Sequence, residues 1–121
     1  MVLVDTSVWI DHFHNGNDHL VYLLNEGEVV IHPFIIGELA CGNIKNRIQI
    51  LSLLHDLPQS IFVNHEEILV FIENHELMGN GLGYIDVCLL ASAMLSDLTL
   101  WTYDKKLNEI ASLMRINYKS T

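Results

Sequence analysis

Short apolar runs alternate with helix-spaced apolar positions along most of this chain. It opens on Val2-Leu3-Val4, a continuous and largely β-branched run that predicts a buried strand over 2–5. Thr6 and Ser7 follow, with hydroxyls suited to the start of a helix, and a short helix is predicted over 7–13. Asn15-Gly16-Asn17 breaks it. Leu20, Leu23 and Leu24 recur at helical spacing within a second helix over 18–26, which Gly27 stops. Val29-Val30-Ile31 reads as the second strand. Pro33 fits the first turn of a third helix, where a missing amide hydrogen costs nothing. That helix carries Phe34, Ile35, Glu38, Leu39 and Cys41 and stops at Gly42.

A fourth helix is predicted over 44–54, before Pro58. Ile61-Phe62-Val63 reads as a short strand. Asn64-His65-Glu66-Glu67 has the form of a capping box, with Asn in place of Ser or Thr, and opens a helix running to about Met78. Gly79-Asn80-Gly81-Leu82-Gly83 is the most flexible stretch and leads into an Ala- and Leu-rich helix over 84–95. A strand over 98–103, a helix over 105–113 and a last short strand at Ile116-Asn117-Tyr118 complete the pattern. Strands alternating with helices predict an α/β fold, with a mostly parallel sheet flanked by helices on both faces. A length of 121 residues gives the expectation of a single domain over 1–121.

Composition narrows the class. Half the residues are apolar, which suits a buried sheet and argues against disorder. No apolar run approaches the roughly 18 residues of a membrane span, and a cytoplasmic, soluble protein is the expectation. Cys41 and Cys88 lie in predicted helices without metal-like spacing and read as reduced, buried thiols. The seven histidines are scattered and read as surface or partly buried; His12 and His14, two apart, do not share a helix face. A formal net charge of −9 with only six Lys and Arg excludes a protein that coats nucleic acid electrostatically. A nucleic-acid substrate then has to be held by metal ions and a few local cations, and a basic protein partner suits the charge.

Four acids stand at special places in this pattern. Asp5 and Asp104 each directly follow an apolar run, and Glu38 and Asp86 each fall near the start of a predicted helix. Residues just past the ends of parallel strands gather at one sheet edge, where such folds place their sites. Clustered carboxylates repel one another and are tolerated mainly around a cation. Taken singly, Asp104 can cap the helix beginning at Lys105, Asp86 can favour its helix dipole, and Glu38 can be an exposed helix residue. Asp5, closing an apolar strand, is poorly suited to a core. The set suits metal-assisted phosphodiester hydrolysis by Mg²⁺, with Mn²⁺ also possible. Thr6 or Ser7 is placed to orient a water at the metal, and Lys105 or Lys106 to sit near the scissile phosphate. Asp11, six residues past Asp5, reads as structural or solvent-facing, and Trp9, Ile10 and Phe13 as core or dimer contacts.

Val4-Asp5-Thr6-Ser7-Val8-Trp9-Ile10-Asp11 resembles the opening of a PIN-domain ribonuclease, of the VapC-like toxins of toxin–antitoxin modules. The family's remaining acids resemble Glu38 in Ile36-Gly37-Glu38-Leu39, Asp86 in Gly83-Tyr84-Ile85-Asp86-Val87 and Asp104 in Thr102-Tyr103-Asp104-Lys105. The resemblance covers the whole chain in order. It implies a three-layer α/β/α PIN-like fold and a Mg²⁺- or Mn²⁺-dependent endoribonuclease. Asp5, Glu38, Asp86 and Asp104 would hold the metal and act in catalysis together with Thr6. It also implies an RNA substrate, a homodimer and a cognate VapB-like antitoxin that brings a basic side chain into the acidic cleft. Asp97 departs from the pattern, standing where the family often has Gly before the last core strand.

A rival of another class is a PIN-like fold used as a binding or regulatory scaffold without turnover. A phosphoaspartyl phosphatase also places Asp after its first strand but needs a second Asp two residues on, where this chain has Ser7. A receiver-like domain needs an acidic pair after that strand, and Thr6-Ser7 is not one.

Overall fold

The computed structural model describes residues 1–119, so residues 120 and 121 of the expected domain lie outside the described residues. In chain order it contains β1 (Val2–Val4), α1 (Thr6–Asn15), α2 (Asp18–Asn25), β2 (Val29–Val30) and α3 (Pro33–Ala40). There follow α4 (Arg47–His55), α5 (His65–Asn74), α6 (Tyr84–Leu95), β3 (Thr99–Trp101) and α7 (Lys105–Leu113).

The strands form one parallel sheet in the order β2-β1-β3. Leu3 of the central strand pairs with Val30 on one side and Leu100 on the other. Val2, Leu3 and Val4 are all buried although successive side chains point to opposite faces, so helices cover both sides of the sheet. That is the layered α/β arrangement expected from the alternating pattern. α6 is buried all round along Val87–Ala93 and is a central element of the core. Among the described residues no helix is long and apolar enough to cross a membrane.

Single parallel bridges extend the sheet at both edges, pairing Ile31 with Gln59 and Leu100 with Asn117. The strand expected at Ile61–Val63 does not form. Ser96 Oγ accepts from the Ile61 amide at 2.8 Å, and Ser92 Oγ donates to the Ile61 carbonyl at 2.7 Å. With both backbone groups of Ile61 bound to side chains in and just past α6, the segment's first residue is taken out of any strand ladder. The sheet contact falls earlier, where the Ser60 amide donates to the Ile31 carbonyl. The strand expected at Ile116–Tyr118 is reduced to the bridge at Asn117.

The helix ends follow local chemistry. Asn64 and Glu67 form the expected capping box of α5, and Pro33 occupies the first turn of α3. The helix expected to reach Met78 stops instead at Asn74. Glu76 follows with a left-handed φ of 52°. His32, expected at or near the surface, is only 1% exposed: its Nδ1 accepts from the Phe34 amide and caps α3. Cys88 is buried as expected, whereas Cys41, just past the end of α3, is exposed.

Candidate active site

The carboxyl ends of β1 and β3 lie side by side, because Val4 pairs with Trp101. The chain leaves β1 in one direction and enters β3 from the other, so this edge is the switch point of the sheet, where a crevice opens. Asp5 follows β1 directly. It occupies the position before α1 without using its side chain to cap that helix. Its carboxylate turns across to the end of β3 instead. Thr102 Oγ1 donates to Asp5 Oδ2 at 2.7 Å, and Ser7 Oγ donates to the same oxygen at 2.9 Å. Each hydroxyl also accepts a backbone amide of the turn into α7: Thr102 from Asp104, and Ser7 from Tyr103, both at 3.0 Å. Two hydroxyls thus tie the Asp5 carboxylate to the segment that presents Asp104.

Asp5 is 7% exposed. Among the described residues the one ion pair joins the Met1 amino group to Glu28, so no cationic side chain neutralises Asp5. A buried carboxylate without a countercharge is costly. Oδ2 holds two hydroxyl donors and Oδ1 is left for a cation. Asp104 is exposed, and its Oδ1 accepts the Leu107 amide, which caps α7 as the sequence suggested.

Asp86 lies in the first turn of α6, with Oδ2 accepting the Gly83 amide at 3.3 Å. Burial, foremost, raises its pKa above the usual aspartate value; the Gly83 amide opposes this, and the negative charges of Asp5, Asp104 and Glu38 add to it. Asp5, Asp104 and Glu38 therefore all act on Asp86 through space. Glu38 stands in the last turn of α3, not near a helix start as the sequence reading had it. Thr6 Oγ1 donates to Glu38 Oε1 at 2.7 Å, which links the first turn of α1 to α3. Arg47 donates to the carbonyls of Ala40 and Gly42 and closes the end of the helix that carries Glu38.

Among the described residues no trio of His, Cys, Asp or Glu side chains forms a ready cage for an ion. The arrangement is open, with carboxylates contributed by separate elements. Mg²⁺ suits such a site, because it keeps several waters and binds through one or two carboxylates plus substrate phosphates. The unneutralised Asp5 and the mutual repulsion at Asp86 fit the same occupant.

Asp11 is structural, accepting the side-chain amides of Asn15 and Asn17 at the α1–α2 turn. Trp9 is core, Phe13 packs against the core, and Ile10 is exposed. Of the two lysines at the start of α7, Lys106 lies over the glycine loop: a Cβ on Gly81 would meet its Cε at 3.4 Å. Sequence reasoning missed Thr102. Its signal was present in a mirrored spacing, with a hydroxyl two residues after Asp5 and another two residues before Asp104.

A family model for the PIN domain matches residues 2–113, and the chain belongs to that family. Its curated relatives include Ribonuclease VapC32 of two Mycobacterium tuberculosis strains. Each is 46% identical over 108 residues, covering 88% of this chain and 87% of the relative.

Proposed function

We propose that this chain is a divalent-metal-dependent endoribonuclease, the toxin of a toxin–antitoxin pair. The observation that carries the reading is the Asp5 carboxylate, buried, without a countercharge, and fixed through Oδ2 by Thr102 and Ser7. The relatives named as ribonucleases supply the substrate class. Mg²⁺ is the natural ion for this oxygen-only donor set, with Mn²⁺ a substitute. When bound, such an ion lowers the pKa of a water and neutralises charge on the phosphate.

The protein's own groups have separable roles. Asp5 from the end of β1, Asp86 from the first turn of α6 and Asp104 from the turn between β3 and α7 would hold the ion. Glu38, steadied by Thr6 and close enough to Asp86 to disfavour its charged form, would complete the acidic set. Thr6 acts through Glu38, so it is a positioning residue and not the direct ligand of a water. Thr102 and Ser7 set the spacing between the Asp5 carboxylate and the turn that carries Asp104.

The chain is read as one catalytic domain over 1–121, working as a soluble cytoplasmic homodimer. A VapB-like antitoxin would silence it by placing a basic side chain among the four carboxylates, which suits the −9 charge. Cleavage of a labelled total-RNA pool by partner-free protein, in Mg²⁺, in Mn²⁺ and in EDTA, tests the reading. Discrete fragments that require metal are expected. Intact RNA after incubation with folded, metal-loaded protein would instead favour a binding scaffold.

A further inference from the structure

Building on the ribonuclease reading, we propose that Tyr103 is a stacking platform for an unpaired nucleobase beside the scissile phosphate. Tyr103 lies between Thr102, which anchors Asp5, and Asp104, and its amide is held by Ser7 Oγ. Its backbone therefore belongs to the turn that builds the metal site. Its side chain is 53% exposed.

Despite that exposure the ring is held at both ends. Asn17 Nδ2 donates to the Tyr103 hydroxyl at 2.8 Å, across 86 residues of sequence. Asn17 is itself immobilised: its Oδ1 accepts the Leu20 amide, Nδ2 also reaches Asp11, and its own amide donates to His12 Nδ1. On the inner side the ring meets Trp101 edge to face, with centroids 5.9 Å apart and planes at 84°. Trp101 is nearly buried and packs in turn on His19 and Tyr118, so this contact rests on the core. Among the described residues the Tyr103 hydroxyl donates to no protein acceptor, which leaves its proton for a ligand.

An aromatic ring fixed in place before the ligand arrives loses little freedom on binding. Nucleobases stack on such rings with little regard to sequence. The chain's charge favours a contact of this kind. With six Lys and Arg against fifteen Asp and Glu, neutralising phosphates cannot supply the affinity for a strand. A stacking contact one residue from Asp104 holds the RNA without adding positive charge to a cleft that must admit a cation.

The experiment uses single-stranded RNA carrying 2-aminopurine at positions flanking the mapped cut, bound to the full chain bearing Asp5→Asn. Stacking should quench the fluorophore at one flanking position. Adding Tyr103→Leu should restore the emission and weaken binding about tenfold or more, whereas Tyr103→Phe should keep the quench. In otherwise wild-type protein Tyr103→Leu should act mainly on KM. Absence of quenching at every flanking position overturns the proposal even if Tyr103→Leu does not fold. An unchanged KM in folded Tyr103→Leu overturns it as well. Wild-type protein that cuts no RNA at all would defeat the ribonuclease reading itself, and so is distinguishable from failure of the stacking site alone.

Discussion

Thr102 Oγ1 donates to Asp5 Oδ2 at 2.7 Å while accepting the Asp104 amide, so one hydroxyl joins two acids that lie almost a chain length apart. Thr102→Val keeps the shape and removes the link. It should lower kcat about 10–100-fold through misplacement of the acids. Its cost in stability should be about 1–3 kcal/mol, because a buried carboxylate oxygen loses a donor. Thr102→Ser should restore most of the activity. Steady-state cleavage and urea unfolding of both variants check this, and full activity in Thr102→Val would show that the hydroxyl is dispensable.

Asp86 should report the repulsion inside the site. Its pKa is raised by burial and then by Asp5, Asp104 and Glu38, so the charged form is disfavoured in the fold. Asp86→Asn should therefore raise the melting temperature of metal-free protein near neutral pH and diminish the further rise produced by Mn²⁺. Thermal melts with and without Mn²⁺ measure both effects. A metal-free Asp86→Asn protein that melts below wild type would mean the carboxylate serves the fold.

How far the candidate site was legible in the sequence depends on what each residue touches. Asp5 and Asp104 were legible because both follow apolar strands, and parallel strands bring their ends together. Asp86 was legible from the glycine loop that starts its helix. Thr102 was not, since its partner is 97 residues away and a threonine near the end of a strand has many ordinary reasons to be there. The same limit explains the absent strand at Ile61–Val63. Its composition suits a strand, but Ser92 of α6 and Ser96 just past it take the backbone groups of Ile61, and side-chain competition of that kind leaves no period in the local sequence. His32 was misplaced for a related reason: periodicity does not show that an imidazole nitrogen will cap α3 from within the core.

His32 gives the fold a pH dependence with a definite sign. Burial lowers its pKa from 6.5 to about 4, so the native state keeps it neutral where the unfolded chain takes up a proton. Its contribution is complete above about pH 6.5 and is lost as the pH falls toward about 4. The full swing is roughly 3 kcal/mol at most. His32→Asn keeps a capping acceptor without this titration and should flatten the profile over that window. Unfolding free energies of the two proteins from pH 7 to pH 4 give the difference, and parallel profiles would remove His32 as the cause.

Asp97 is a non-glycine residue held at a left-handed φ of 55°. The Asp97 amide donates to the Met94 carbonyl and the Leu98 amide to Ala93, which closes α6 in a Schellman turn with Asp97 left-handed. A side chain there carries a steric cost that glycine avoids. Asp97→Gly should stabilise the protein by about 0.5–1 kcal/mol and leave cleavage unchanged, as judged by the denaturation midpoint. A lower midpoint would show that the aspartate makes a compensating contact.

The most direct test is the single-turnover cleavage rate of a mapped RNA site at saturating Mn²⁺, for wild type and Asp5→Asn side by side. Asp5→Asn should retain its fold and lose about a thousandfold or more in rate, because the buried anchor for the cation has lost its charge. Asp5→Asn cutting within a few fold of wild type would contradict the assignment of this carboxylate, and with it the site built around Thr102 and Ser7.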